Sequence, residues 1–433
     1  MTDAGEGAGE GAAPAKTAIG ARHLPVAAGQ AGPDEPDGHY GQLGIVTFSH
    51  AVQHFYPAGL AVSYPFVIAA LHVSYGTLGL VLGIAGIVGG LLQALAGAFS
   101  RVSARMLLSL QNIGLAAATG LGALAPGFAV FGAARCLGSI ASWPQHPVGS
   151  SVLTERFPRR RAFALSWHVA GGSLGTAVIP IVVSALIASY GWRWGVGFVA
   201  FPLAIGGLLV AWRLRDPPRR KGDPEPASFS GLLGLLRRRE VLGAVVAGTL
   251  AAGGRGLGTL TTFVPAYLRS GLHLEALTIG VLFTVLLVGS IVGPVLVGLV
   301  ADHLGRRRVL IVIYLVSSVT IGGFVSVGHG LVALGLMGAL VGIFAYSESP
   351  LLQAVFSEAV HGSAQKGAFG LYFAISYGVG SIWTIALGVI IDTAGFRVAF
   401  FVMAASFVLA AVVVALSGPP RTGAVKELGS ARP

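Results

Sequence analysis

Apolar runs, each long enough to cross a bilayer, recur from one end of this chain to the other, and no other feature narrows its fold as much. They cover roughly 42–70, 76–99, 106–125, 127–156, 162–189 and 193–214, then 241–268, 276–300, 308–326, 330–357, 366–391 and 396–417. A helix of about 20 apolar residues spans the roughly 30 Å of hydrocarbon in a membrane. Backbone groups in lipid must be satisfied internally, which leaves helices or closed barrels. Barrel strands alternate polar and apolar residues, whereas these runs are unbroken, so helices are expected. Of the 433 residues, 54% are hydrophobic and 10% charged; soluble domains carry about 25% charged residues.

The net charge of +11 would suit a nucleic-acid binder, but its distribution excludes that reading. Arg101 and Arg105, Arg156 to Arg161, Arg213 to Arg239, Arg306 to Arg308 and Lys366 fall in every second connection. The alternate connections hold only Arg193, Arg269 and Arg397. Short cytoplasmic loops are enriched in Lys and Arg, so both termini and the central loop are expected in the cytoplasm. The chain is then a multi-pass protein of the plasma (cytoplasmic, or inner) membrane. A single Cys136 rules out intrachain disulfides and thiolate metal clusters. The first run follows a long polar stretch and exceeds a signal-peptide core, so no signal peptide is expected.

The runs divide the chain into a disordered tail (1–41), a first half (42–214), a basic linker (215–240), a second half (241–417) and a short tail (418–433). The linker carries Pro217-Pro218-Arg219-Arg220-Lys221. The halves share landmarks at a nearly constant offset. Leu71-His72-Val73 matches Leu272-His273-Leu274, and Pro144-Gln145-His146-Pro147 matches Ser347-Glu348-Ser349-Pro350. Glu155 matches Glu358, and Gly191-Trp192-Arg193 matches Gly395-Phe396-Arg397. The turn Gly298-Leu299-Val300-Ala301-Asp302-His303-Leu304-Gly305-Arg306-Arg307-Arg308 has a worn copy at Gly97 to Arg105, where Arg101 replaces the Asp and Ala104 the Gly. Parallel repeats of this kind occur in transporters with two six-helix halves.

Two sets of six runs, a basic central loop and the Gly-x-x-x-Asp-x-x-Gly-Arg-Arg turn resemble the major facilitator superfamily over residues 42–417. His50 to Pro57, Gly138-Ser139-Ile140 and His146-Pro147 further resemble fosmidomycin-resistance-type exporters. The resemblance implies an all-α membrane protein of twelve transmembrane helices in two six-helix pseudo-repeats. It also implies that the first, fourth, seventh and tenth helices line a central cavity.

Charge within the bilayer costs at least about 2.5–3.5 kcal/mol per group, so each such residue needs a reason. Arg135, Arg255 and Glu348 lie inside apolar runs, with His50, His54, His146 and His168. Helical spacing places Arg135, Ser139, Ser142 and His146 on one stripe, and Arg255, Thr259 and Thr262 on another. Such stripes should face a cavity, although Ser and Thr alone more often bond neighbouring helices. Gln145 belongs beside His146, and Tyr372 and Trp383 would add aromatic walls. Arg favours carboxylate or phosphate partners, which points to an anionic small-molecule substrate. Glu348 can load and release a proton between apolar and cationic surroundings. His54 and His146 are rival carriers, because histidine titrates near neutral pH.

On the basic side, Arg105 with Glu155, and Arg306 with Asp302 and Glu358 across Gly305, suggest a cytoplasmic gate, leaning on Asp302, Arg306 and Glu358. No nucleophile triad, metal set or phosphate loop occurs in the sequence, so neither an enzyme, a cofactor nor ATP drive is expected. The leading expectation is a monomeric, alternating-access, proton-coupled exporter (antiporter) of small organic anions. The next is a proton symporter importing an organic acid, and the last a non-transporting membrane receptor or scaffold. The antiporter family's Gly-Pro signature is missing from the fifth run, which reads Gly171-Gly172-Ser173-Leu174-Gly175-Thr176.

Overall fold

Segments with almost no charge satisfy their backbone in lipid by coiling on themselves, and the described elements are all helical. The computed structural model describes residues 38–94, 102–216, 234–360 and 365–418. The N-terminal tail, most of the linker, Arg101 and the C-terminal tail lie outside the described residues.

In the first half, α1 (Gly38–Ala70) and α2 (Tyr75–Ala94) are followed by α3 (Ala104–Ala123). Next come α4 (Phe128–Ala141) and α5 (Gln145–Arg156), then α6 (Arg161–Tyr190) and α7 (Trp192–Arg213). The second half opens with α8 (Arg239–Ala251) and the short α9 (Thr261–Ala266). Then follow α10 (Ala276–Leu304), α11 (Arg306–Ser326), α12 (Leu331–Ala345) and α13 (Glu348–Ala359). The chain closes with α14 (Gln365–Phe373) and α15 (Ile382–Ser417). Among the described residues, nine stretches are long and apolar enough to cross a membrane. The last of them, Ala368–Ser417, is broken at Gly395, whose φ of 82° only glycine adopts without strain.

Four of the expected helices are interrupted rather than continuous. The fourth run stops at Ala141 and restarts at Gln145, with Pro144 in the gap and Pro147 in the new first turn, where a missing N–H costs nothing. The tenth run breaks in the same place of its half, between Ala345 and Glu348. The seventh unwinds after Ala251 and is non-helical at Leu257 and Gly258. The eleventh passes through a wide turn at Ala374–Gly378. The stripes Arg135–His146 and Arg255–Thr262 are therefore not single helical faces. Each is cut by a break, and its members point in directions that regular helical spacing does not give.

The repeat is visible in the backbone. His72 and His273, at matching turns, share a left-handed conformation with φ of 51° and 53°; such a conformation is uncommon outside glycine. Within the first half α1 packs on α6 and α7, and within the second α10 packs on α12 and α11 on α15. Between halves α2 lies on α15 and α6 on α10. The α2–α15 contact is backbone to backbone. A Cβ at Gly79 would sit 2.5 Å from the Thr384 carbonyl, and one at Gly388 would sit 2.4 Å from that of Tyr75. Small residues permit such approach between membrane helices.

The two ends differ in how the halves are joined. At the end marked by His72 and His273, the Asp392 carboxylate accepts the Tyr75 and Gly76 N–H groups at 2.9 and 2.7 Å. Here it meets the positive start of α2. The Tyr75 hydroxyl also pairs with Ser270 at 2.6 Å. Among the described residues, the ion pairs at the basic end stay within the second half. Arg306 contacts Glu358 at 3.1 Å and Asp302 at 3.3 Å, around the turn at Gly305. Arg105 does not pair with Glu155. Its backbone N–H and the Ser103 hydroxyl hold Asp216, whereas Glu155 accepts from Ser151.

Candidate functional site

The breaks in the seventh, tenth and eleventh runs meet at one buried ion pair. Arg255 follows the Ala252–Gly254 turn in an extended conformation, which frees it from the helix ladder. Its Nε donates to Glu348 Oε1 at 2.8 Å, and the two side chains are 4% and 0% exposed. Its Nη1 donates to the Ser376 carbonyl of the interrupted eleventh run at 3.0 Å, and its Nη2 to the Gly248 carbonyl, before the break in its own run, at 2.6 Å. These partners engage three of the five guanidinium donors. The Tyr377 ring lies 4.2 Å from the Arg255 guanidinium carbon, and the Tyr377 hydroxyl bonds to Ser349.

Glu348 stands in the first turn of α13, where the helix dipole favours an acid. Its Oε2 accepts from the Tyr314 hydroxyl at 3.3 Å. Thr259 braces the unwound segment by bonding the carbonyls of Ala252 and Gly253 at 3.2 and 2.9 Å. A buried pair of this kind adds little net stability, yet removing one partner costs about 3–5 kcal/mol. The geometry therefore holds a charge couple whose separation must be compensated by another ion.

The first half has a different centre. Arg135 lies 4.7 Å from the Tyr56 ring and 5.8 Å from that of Tyr64. Its Nε and Nη1 are buried and have no hydrogen-bond partner, and no ion pair among the described residues includes it. In the same half, four histidines from three runs cluster. His50 Nε2 and His54 Nε2 are 3.0 Å apart. His50 stacks on His168 at 4.1 Å between ring centres and meets His146 edge-on at 5.0 Å. Ligand atoms of His50, His54 and His146 all lie within 4.8 Å of one another.

The remaining expected site residues divide between these centres and plain helix packing. Ser139 donates to the Ala85 carbonyl of α2 at 2.5 Å, and Ser142 bonds back to Ser139. Gln145 is fully buried and accepts from Ser49 at 3.0 Å and Gln111 at 2.7 Å; Asn112 completes this net at 2.8 Å from Ser49. Tyr372 packs on Phe356 at 4.9 Å, and the Trp383 indole donates to the Thr249 carbonyl at 2.9 Å. Sequence reasoning missed Tyr56, Tyr314, Ser49, Gln111, Asn112 and Asp392, which act on partners in other helices. Asp392 alone had a readable signal, as an acid at the very edge of an apolar run.

The sequence model of the Major Facilitator Superfamily matches residues 43–286 and 246–432. The chain belongs to the Major Facilitator Superfamily. The family match and the long apolar helices make it a multi-pass membrane protein. It is 30% identical over 239 residues to an MFS-type transporter of Gibberella moniliformis, covering 53% of this chain and 55% of that protein. The chain thus spans about half the length of this relative, and 51% of another fungal one. A cis,cis-muconate transport protein of Acinetobacter baylyi is 25% identical over 316 residues, 69% of this chain and 74% of the relative. The fold matches that of a point mutant of the nucleoside transporter NupG with a TM-score of 0.74 over 88% of this chain and 99% of the other, at 14% identity.

Proposed function

We propose that this superfamily member carries a small organic anion together with a proton, and that Arg255 and Glu348 couple the two. The carrying observation is the buried pair itself, 2.8 Å apart and placed where interrupted helices meet. Discontinuous helices supply substrate sites in transporters of related design. A substrate carboxylate that reaches the two free donors of Arg255 would place two negative charges around one positive charge in a dry site. Protonating Glu348 removes the excess charge, and its neutral acid can still bond to the Tyr314 hydroxyl. One proton therefore accompanies one anionic group, and release of the anion returns Glu348 to Arg255. Similarity to a muconate transport protein, whose named cargo is a carboxylate, supports this substrate class.

The wider arrangement follows the charge pattern. The α1 segment, the α4–α5 pair and the fold-back at Gly395 raise nine candidate spans to twelve crossings. Both termini lie in the cytoplasm, and the protein acts as a monomer in the plasma membrane. Antiport is the second reading, favoured by the resemblance of His50 to Pro57 to the fosmidomycin-resistance-type exporters.

Proteoliposomes with an imposed pH gradient test both readings. An acidic outside should accelerate uptake of cis,cis-muconate or a related carboxylate. Glu348→Gln should retain substrate exchange while losing the response to the gradient. Unchanged pH-driven uptake in that variant would remove Glu348 from coupling. Acceleration by an acidic interior would establish antiport instead.

A further inference from the structure

The histidines of the first half are oriented by their outer hydrogen bonds, and that orientation has a chemical consequence. His50 Nδ1 lies 2.6 Å from the His168 carbonyl, which can only accept, so Nδ1 carries the proton. The Thr176 hydroxyl gives its single proton to the Gly172 carbonyl at 2.9 Å. His54 Nδ1, 2.7 Å from that hydroxyl oxygen, must therefore be the donor in their contact. Both neutral rings are left with lone pairs on Nε2, facing each other at 3.0 Å. Two lone pairs this close repel unless a cation joins them.

We propose that His50, His54 and His146 bind a divalent transition-metal ion of the kind that prefers imidazole, with zinc as the representative. Metal-bound histidines almost always donate their other ring nitrogen to an oxygen, which fixes the tautomer. His50 and His54 both do so. A proton would bridge these two rings and have no use for a third. His146 nevertheless presents its ring 5.0 Å from that of His50 and 5.9 Å from that of His54, within the 4.8 Å spread of ligand atoms. Zn–N bonds of about 2.0–2.1 Å place tetrahedral ligand nitrogens about 3.4 Å apart, so the His50–His54 pair needs to open by about 0.4 Å.

Access and room are also present. His50 is buried, His54 half-buried and His146 exposed, which gives an ion a path in from the His146 side. Gly172 makes the space for His50, because a Cβ there would meet its ring at 2.6 Å. Three imidazoles leave a fourth position open, as in zinc sites that also hold water or a small anion. The site lies in the first half and does not depend on the Arg255–Glu348 reading.

Calorimetric titration of the purified chain, free of any histidine tag, with zinc chloride tests this site. One ion should bind per chain, and magnesium should not compete. Cobalt should give the intense visible absorption of a tetrahedral nitrogen site. His54→Gln and His146→Gln should each weaken zinc at least tenfold, and Thr176→Val about tenfold through the lost orienting bond. His329→Gln, at an exposed turn, should change nothing. Zinc should raise the thermal midpoint of the native chain but not of the two glutamine variants, which keep their zinc-free midpoint. Failure to bind one ion per chain, or an affinity that both variants leave intact, would overturn the proposal and leave a shared proton as the bridging cation.

Discussion

Two arginines lie inside apolar helices of this chain, and their surroundings are opposite. Arg255 has a carboxylate at 2.8 Å, two carbonyls and a tyrosine face. Arg135 has tyrosine faces and no acid, and two of its nitrogens lack any hydrogen bond. Both cations are tolerated, but for different reasons. The first is neutralised by a permanent partner, whereas the second is supported mainly by ring quadrupoles, each worth up to about 2 kcal/mol when desolvated. A permanent partner ties Arg255 to the protonation of Glu348. A cation without one is free to meet a ligand.

The largest expected effect separates the two sites directly. Arg255→Leu strands Glu348 in a dry interior and should cost about 3–5 kcal/mol. Thermal unfolding in detergent checks this, and Arg255→Leu with Glu348→Leu should recover the loss while transport stays absent. Arg135→Leu should change stability by less than about 1 kcal/mol, since it removes an uncompensated charge along with its ring contacts. Its effect should fall on transport, as a rise in substrate KM of about tenfold. Equal destabilisation by the two leucine variants would break the contrast.

Smaller effects are expected at the two ends of the molecule. Asp392→Asn keeps the size of the side chain but weakens its charge-assisted bonds to the start of α2. A cysteine placed at Ser74 should then label several-fold faster from the side marked by His72. At the opposite end, Asp302 is 63% exposed and shares Arg306 with Glu358. Asp302→Asn should alter stability by less than about 0.5 kcal/mol. Arg306→Gln, which loses both partners, should do more. The sequence suggests a gate that leans on Asp302, Arg306 and Glu358 together. A larger effect of Asp302→Asn than of Arg306→Gln on transport would break this weighting.

The repeat was legible because landmarks such as His72 and His273 must make the same turn in each half, and both adopt it with nearly equal φ. Arg255 and Glu348 could be picked out individually, because charge in an apolar run needs a cause. The sequence does not decide that they pair. Nothing in the sequence links Tyr314 to Glu348 or Tyr377 to Arg255; the fold sets them there. The stripe from Arg135 to His146 misled, because it assumed one regular helix through Pro144. Where helices break, the 3.6-residue period no longer assigns faces, and in this chain the breaks coincide with the polar centres.

The sequence alone determined a membrane-embedded, helical, duplicated chain with buried charge in both halves. Those properties depend on quantities summed over one segment at a time: apolar length, loop charge and the cost of desolvating a single residue. Only the tertiary structure decided which charge is neutralised, which is left open, and that histidines from separate helices converge on one point. Such pairings depend on distances of a few ångströms between segments far apart in the chain. These distances are set by where glycines let α2 and α15 touch and where helices come unwound.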